Sequence, residues 1–269
     1  MPFAAINGID TYHEFHGGDG PPVLAISGSG NDLRVSMPGR SPLNKHFHTL
    51  HYDQRGLGQT TIPDGPYEMA DYADDAAALI RHAGWDRCHV VGISFGGMVA
   101  QHLAVGYPEL VDRVVLCCTS PGGTKPSFPL HTIEALDVES RIEMMLGLLD
   151  NRWNPGAEEP IPGLPAAFYD GYVAMSRAEH DPKAAAGRTL QLDARSRHDA
   201  QPRLKEIEAA TLVCSGEWDD IAPLTYGQAI AEAIPNGDIR IFNGGHLFLL
   251  QDPTAWPTII DFLENELEP

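Results

Sequence analysis

Basic residues are scarce: 18 Lys and Arg stand against 37 Asp and Glu in 269 residues, a formal net charge of −19 at pH 7. That balance repels phosphate backbones and anionic lipid, and no cluster of Lys or Arg offsets it. Neither nucleic acid nor a membrane surface is therefore an expected partner. Long apolar runs are missing too. No stretch approaches the roughly 20 residues that a membrane span needs, and Met1–Gly8 has neither the basic region nor the apolar run of a secretory signal. Cysteine is sparse, with 4 in the chain. Cys88, Cys117, Cys118 and Cys214 lie on apolar, strand-like segments without metal-ligand spacing, so buried free thiols in a reducing, cytoplasmic setting are expected. No Gly-x-Gly-x-x-Gly or Gly-x-x-x-x-Gly-Lys motif is present, which argues against a nucleotide site. No His/Cys/Asp set is spaced to ligate a metal, so neither cofactor nor metal is expected.

What is present is an ordinary globular balance, 43% hydrophobic and 20% charged, with Gly 27 and Pro 22 marking many tight loops. Residues 3–16 read as two strands around Asn7-Gly8, a dipeptide suited to positive φ. Short apolar runs follow at 22–26, 47–52, 89–92, 113–118, 210–214 and 239–242, each fitting a buried parallel strand. Helical patterns at 68–83, 96–106, 224–234 and 254–267 alternate with them. The expected fold class is therefore α/β, a mostly parallel sheet flanked by helices. Residues 121–205 break the rhythm with nine prolines (Pro121, 126, 129, 155, 160, 162, 165, 182 and 202) and helical pieces near 132–150, 165–178 and 183–196. They read as a helical cap inserted into a core made of 1–120 and 206–269. Its apolar residues, among them Phe128, Met144, Met145, Trp153, Tyr172 and Met175, are expected to pack on the core and in part to line a pocket.

The chemistry concentrates at Gly92-Ile93-Ser94-Phe95-Gly96-Gly97. An apolar strand precedes this Gly-x-Ser-x-Gly and a helix-competent run follows it. Small flanking residues allow a strained strand-to-helix turn that lifts a serine hydroxyl off the strand end. Such a hydroxyl needs a general base, and the base needs orienting. Asp219 and Asp220 lie on a loop after the 210–214 strand, and His246 follows Gly244-Gly245 after the last strand. The order Ser94, Asp219, His246 is the one this triad takes on an α/β sheet. Asp220 could instead cap the helix after Pro223. For a developing oxyanion the expected donors are the backbone N–H groups of Phe95 and of Ser29 in the loop Ser27-Gly28-Ser29-Gly30-Asn31. Asp53 and Arg55 in the Asp53-Gln54-Arg55-Gly56 loop are expected to pair and pin that loop.

Taken together, these segments resemble the α/β-hydrolase fold over nearly the whole chain. The resemblance rests on the Asn7-Gly8-Ile9 hairpin, Tyr52-Asp53-Gln54-Arg55-Gly56-Leu57-Gly58, the elbow at Ser94 and Tyr107-Pro108-Glu109. It extends to Gly216-x-x-Asp219-x-x-x-Pro223 and Gly245-His246. The Gly-x-x-Asp-x-x-x-Pro spacing selects Asp219 over Asp220 as the acid. Gly92 to Gln101 is similar to the elbow of enol-lactone hydrolases and related methylesterases, which implies an ester or lactone hydrolase acting on a small molecule without a cofactor. Two features depart from the pattern. Ser27-Gly28 stands where members usually have His-Gly, and the elbow lacks the Gly-Gly-Ser-Trp-Gly form of the proline iminopeptidases that the Asp53–Gly56 loop resembles. Carbon–carbon hydrolysis, cofactor-free lyase or oxygenase chemistry, and a ligand-sensing role stay open, and oligomeric state is not readable.

Overall fold

The computed structural model describes residues 2–178 and 181–265. Eight strands form one sheet in the order β1-β2-β4-β3-β5-β6-β7-β8. They are β1 (Phe3–Ile6), β2 (Ile9–His16), β3 (Pro22–Ile26), β4 (His48–Tyr52), β5 (Cys88–Ile93), β6 (Val111–Cys117), β7 (Ala210–Gly216) and β8 (Gly237–Phe242). Only β1 and β2 run antiparallel to their neighbours; from β4 through β8 every pairing is parallel. Asn7 (φ 48°) and Gly8 (φ 79°) make the predicted hairpin turn.

Alternation along each inner strand divides the core into two layers. Leu24, Val90, Val114 and Val213 point to one face, which α2 (Met69–His82), α3 (Phe95–Gly106) and α7 (Leu224–Ala233) cover. Val23, Val91, Val115 and Leu212 point to the other, under α8 (Phe248–Gln251) and α9 (Ala255–Glu264). A short helix, α1 (Leu33–Ser36), follows β3. The helix expected over 254–267 runs over Ala255–Glu264; positions 266 and 267 lie outside the described residues.

Between β6 and β7 the chain leaves the sheet and forms α4 (Val138–Leu149), α5 (Ala166–Arg177) and α6 (Pro182–Ser196). The element expected near 132–150 is split in two, a 3-10 turn at Leu130–Ala135 followed by α4. Asp137 causes the break, because its Oδ1 accepts the Ser140 N–H at 3.0 Å and starts a fresh helix. A separate apolar cluster of Ile142, Leu146, Leu149, Ile161 and Leu164 holds this region together and meets the core at Ile221. Met144 and Met175, expected to pack, are exposed instead. All four cysteines are free and buried.

The topology fixes where chemistry can occur. After β3 the chain goes to β4 on one side, and after β5 to β6 on the other, so the two connections part at the carboxyl ends of these strands. A sheet of this kind opens a crevice at that switch point. The loop after β3 and the turn after β5 both lie there.

Candidate active site

Ser94 occupies the turn from β5 into α3 with φ 55° and ψ −113°. A non-glycine residue at positive φ stores about 1–3 kcal/mol of strain and persists only where its surroundings hold it. Here the Ser94 N–H donates to the Cys117 carbonyl at 2.8 Å, and the Ser94 carbonyl accepts from Thr119 Oγ1 at 2.8 Å and Gly97 N–H at 2.9 Å. The turn also needs bare neighbours. A Cβ at Gly92 would stand 2.4 Å from the Gly96 carbonyl oxygen, and one at Gly96 would stand 2.1 Å from that of Ile26.

The structure brings the three predicted residues into one hydrogen-bonded line. Ser94 Oγ lies 3.0 Å from His246 Nε2, and His246 Nδ1 lies 2.8 Å from Asp219 Oδ2. The Asp219 side chain is fully buried, and its Oδ1 accepts the N–H groups of Ile221 at 2.8 Å and Ala222 at 2.9 Å. Those two donors fix the carboxylate plane. A carboxylate can only accept, so Nδ1 carries the imidazole proton and Nε2 is left to accept from the serine hydroxyl. Asp220 points elsewhere: it accepts from Asn151 Nδ2 at 3.0 Å and caps no helix.

The loop Ser27–Asn31 runs beside the serine. A Cβ on Gly28 would be 3.5 Å from Ser94 Cβ. Gln54 Nε2 anchors the loop by donating to the Ser27 carbonyl at 2.8 Å, and the Gly30 N–H donates to Gln191 Oε1 at 2.7 Å. Neither the Phe95 nor the Ser29 backbone N–H is spent on another acceptor among the described residues. A cavity of about 90 Å³ opens where this loop meets Met145, Gln191 and Leu192. No group of three or more His, Cys, Asp and Glu side chains could hold a metal among the described residues.

A family model for the alpha/beta hydrolase fold matches residues 21–253. The chain belongs to the alpha/beta hydrolase fold family. Among its relatives, a protein of Pantoea ananatis named as a carbamate hydrolase, RutD, is 28% identical over 92% of this chain and 90% of its own. A poly(3-hydroxyalkanoate) depolymerase of Ectopseudomonas oleovorans is 27% identical over 91% of this chain and 85% of its own. The crystal structure of an enol-lactonase from Burkholderia xenovorans LB400 superposes with a TM-score of 0.80 at 24% identity, covering 98% of this chain and all of that one. This chain thus stands among hydrolases of the family. Among the described residues no helix is long and apolar enough to cross a membrane.

Two further features of the site were not visible in the sequence. The expected Asp53–Arg55 pair does not form. Arg55 instead grips the buried Asp75 of α2 with Nε and Nη2 at 2.7 and 2.8 Å. Asp53 accepts the backbone N–H groups of Leu33 and Gln59 at 2.7 and 2.8 Å. The loop is pinned, but by residues twenty positions away and by main chain.

The second feature is a clamp. The end of α4 touches both loops that carry Asp219 and His246: the Leu148 carbonyl accepts from Asp220 N–H at 3.1 Å, the Leu149 carbonyl from His246 N–H at 2.6 Å, and Asn151 N–H donates to the Trp218 carbonyl at 3.0 Å. Asp150, wholly buried, fastens that segment by accepting from Arg152 Nη2 at 2.7 Å and Gln251 Nε2 at 2.7 Å. Burial pushes the Asp150 carboxyl up, but the bonds from Arg152 and Gln251 outweigh it and hold it below the usual carboxylate range. Breaking a buried ion pair from one side leaves the other group uncompensated. Asp150→Ala is expected to lower stability by about 3 kcal/mol, read as a drop in the urea midpoint at unchanged slope. A midpoint within experimental error of the parent would mean that the clamp adds nothing.

Proposed function

We propose that this chain is a serine hydrolase that cleaves a carboxylic ester or lactone of a small apolar or aromatic molecule through an acyl-enzyme. The observation that carries the reading is the continuous line from Ser94 Oγ through both nitrogens of His246 to Asp219, at 3.0 and 2.8 Å. In the first step Ser94 Oγ attacks the carbonyl carbon and His246 Nε2 takes the hydroxyl proton. The buried Asp219 carboxylate keeps the imidazole in the receptive tautomer and stabilises the imidazolium. The carbonyl oxygen becomes an oxyanion, and the N–H groups of Phe95 and Ser29 donate to it. His246 then passes its proton to the leaving alcohol, which departs with the electrons of the C–O bond. A water deprotonated by His246 attacks the acyl-serine, and collapse releases the acid and regenerates Ser94. Every proton in this cycle has a carrier within the triad, so the reaction asks for no cofactor.

Residues 121–205 are the cap in this reading and 1–120 with 206–269 the core. The apolar faces of α4 and α6 over the 27–31 loop give the acyl or alcohol group an apolar surface. The free buried thiols suit a reducing compartment, which supports the cytoplasm as the place of action.

The test is rapid-quench of the protein with p-nitrophenyl butyrate followed by peptide mass spectrometry. A butyryl group on the Ser94 peptide, formed in a burst stoichiometric with enzyme, is the expected result. Turnover without adduct or burst would reassign His246 to base-only chemistry and overturn the covalent route. The Pantoea ananatis relative motivates a parallel measurement: a kcat/KM higher on a simple carbamate than on every ester and lactone tried would move the substrate class while keeping the nucleophile.

A further inference from the structure

The oxyanion-side loop and the cap meet at a polar contact that uses only half of its hydrogen-bonding capacity. Gly30 N–H donates to Oε1 of Gln191 on α6. That donor fixes which end of the amide is oxygen, so the NH2 group is the free end. Gln191 is fully buried, and its Nε2 meets no protein acceptor among the described residues; the hydroxyl of Ser29 is buried and unpartnered as well. Both residues line the cavity of about 90 Å³, whose other walls are Leu130, Ile133, Met145 and Leu192 with Arg188 and Glu134. Buried donors are almost always satisfied in folded proteins, because each gave up hydrogen bonds to water on folding. Two unsatisfied donors on residues that line one small cavity point to an acceptor that arrives with a ligand.

Covalent geometry says where on the ligand that acceptor sits. In the mechanism above, Ser29 N–H holds the oxyanion, and Ser29 Oγ is three bonds from that nitrogen. An oxygen that reaches Ser29 Oγ and Gln191 Nε2 therefore lies within a few atoms of the scissile carbonyl. The cavity is small, about 90 Å³, and suits a short group. Charge selects further. Arg188 is already paired with Glu134 at 3.0 Å, so the cavity offers no free cation to a second carboxylate and favours a neutral oxygen.

We propose that Gln191 Nε2 and Ser29 Oγ form an acyl-side subsite that selects esters or lactones with a neutral ether or keto oxygen within a few atoms of the scissile carbonyl. The inference rests on the acyl-enzyme reading of Ser94. It is tested with p-nitrophenyl methoxyacetate and p-nitrophenyl butyrate, which match in shape and differ by an oxygen in place of a methylene. Each kcat/KM is divided by the ester's own hydroxide rate constant, which removes the intrinsic reactivity of the methoxyacetate. The parent protein should then favour methoxyacetate about tenfold, a factor equal to one good hydrogen bond. Gln191→Leu should bring the ratio to about one, and because it is a ratio within one protein, any slackening of the Gly30 loop cancels. Ser29→Ala, which keeps the backbone N–H, should lower the ratio as well and decides the matter with the parent value should Gln191→Leu not fold. A parent ratio near one, or an unchanged ratio in both variants, overturns the subsite. Should neither ester turn over faster than with Ser94→Ala, the acyl-enzyme reading fails first and the subsite with it.

Discussion

Ser94→Ala and His246→Ala are each expected to lower kcat on an activated ester by roughly 10⁴–10⁶, and the double variant to lose no more than either single one. The geometry requires this non-additivity. In the proposed mechanism Ser94 Oγ is a nucleophile only while His246 Nε2, 3.0 Å away, can take its proton, so removing either partner disables the same step. Asp219 acts one bond further back and its loss should cost less, roughly 10³–10⁴ as Asp219→Asn. An asparagine could keep the Ile221 and Ala222 N–H contacts while turning an NH2 donor toward Nδ1, which would force the imidazole into the unproductive tautomer. Folding is controlled by comparing thermal midpoints, since Ser94→Ala also replaces a residue at positive φ without adding bulk. Additive losses, in which the double variant falls by the product of the two factors, would show that serine and histidine act in separate steps and would end the triad assignment.

Much of this arrangement was legible in the chain because the strand ends impose it. Ser94 after β5, Asp219 after β7 and His246 after β8 need only the order of the strands to come together, and short apolar runs announce that order. Gly92 and Gly96 were equally readable, since their neighbours' carbonyls leave no room for a side chain. What stayed hidden is held by contacts between segments with no sequence pattern in common. Asp75 lies on a helix where an acidic residue ordinarily meets water, and its bond to Arg55 emerges only from the packing of α2. Gln191 reaches Gly30 across 161 positions, and Asp150 bonds Gln251 across 101. Both polar residues sit in the insertion, where proline spacing predicts loops and helices but not which side faces the core. Loops at strand ends follow from topology; how the segment between β6 and β7 docks depends on side-chain chemistry that a periodic reading does not capture.

Stability is expected to fall steeply as the pH drops below about 6.5, driven by histidines that the fold keeps neutral. Burial, reinforced by His102 and opposed by the Ser120 carbonyl, lowers His198 to about 3. Burial likewise lowers His51 to about 4, with His16 adding to the effect and Glu14 opposing it. The hydrogen bonds of His198 are already complete in its neutral form. Its Nε2 lies 2.9 Å from the Ser120 carbonyl and so must donate, which leaves Nδ1 to accept from His102 Nε2 at 3.1 Å. A second proton would add a buried positive charge near the guanidinium of Arg195. In the unfolded chain both rings titrate near 6.5, so between that pH and the folded values unfolding takes up protons, and acid favours the unfolded state. At pH 5 each ring contributes about 2 kcal/mol of lost stability, a large share of a typical total. His198→Gln should therefore flatten the acid limb of the stability curve by about one proton between pH 6 and 5, measured as urea-derived stability at each pH. The variant's absolute stability does not enter, because only the slope is compared. Parallel acid limbs in parent and variant would mean that His198 takes its proton in the folded state near its ordinary pKa, and that the His102–His198–Ser120 chain does not exclude it.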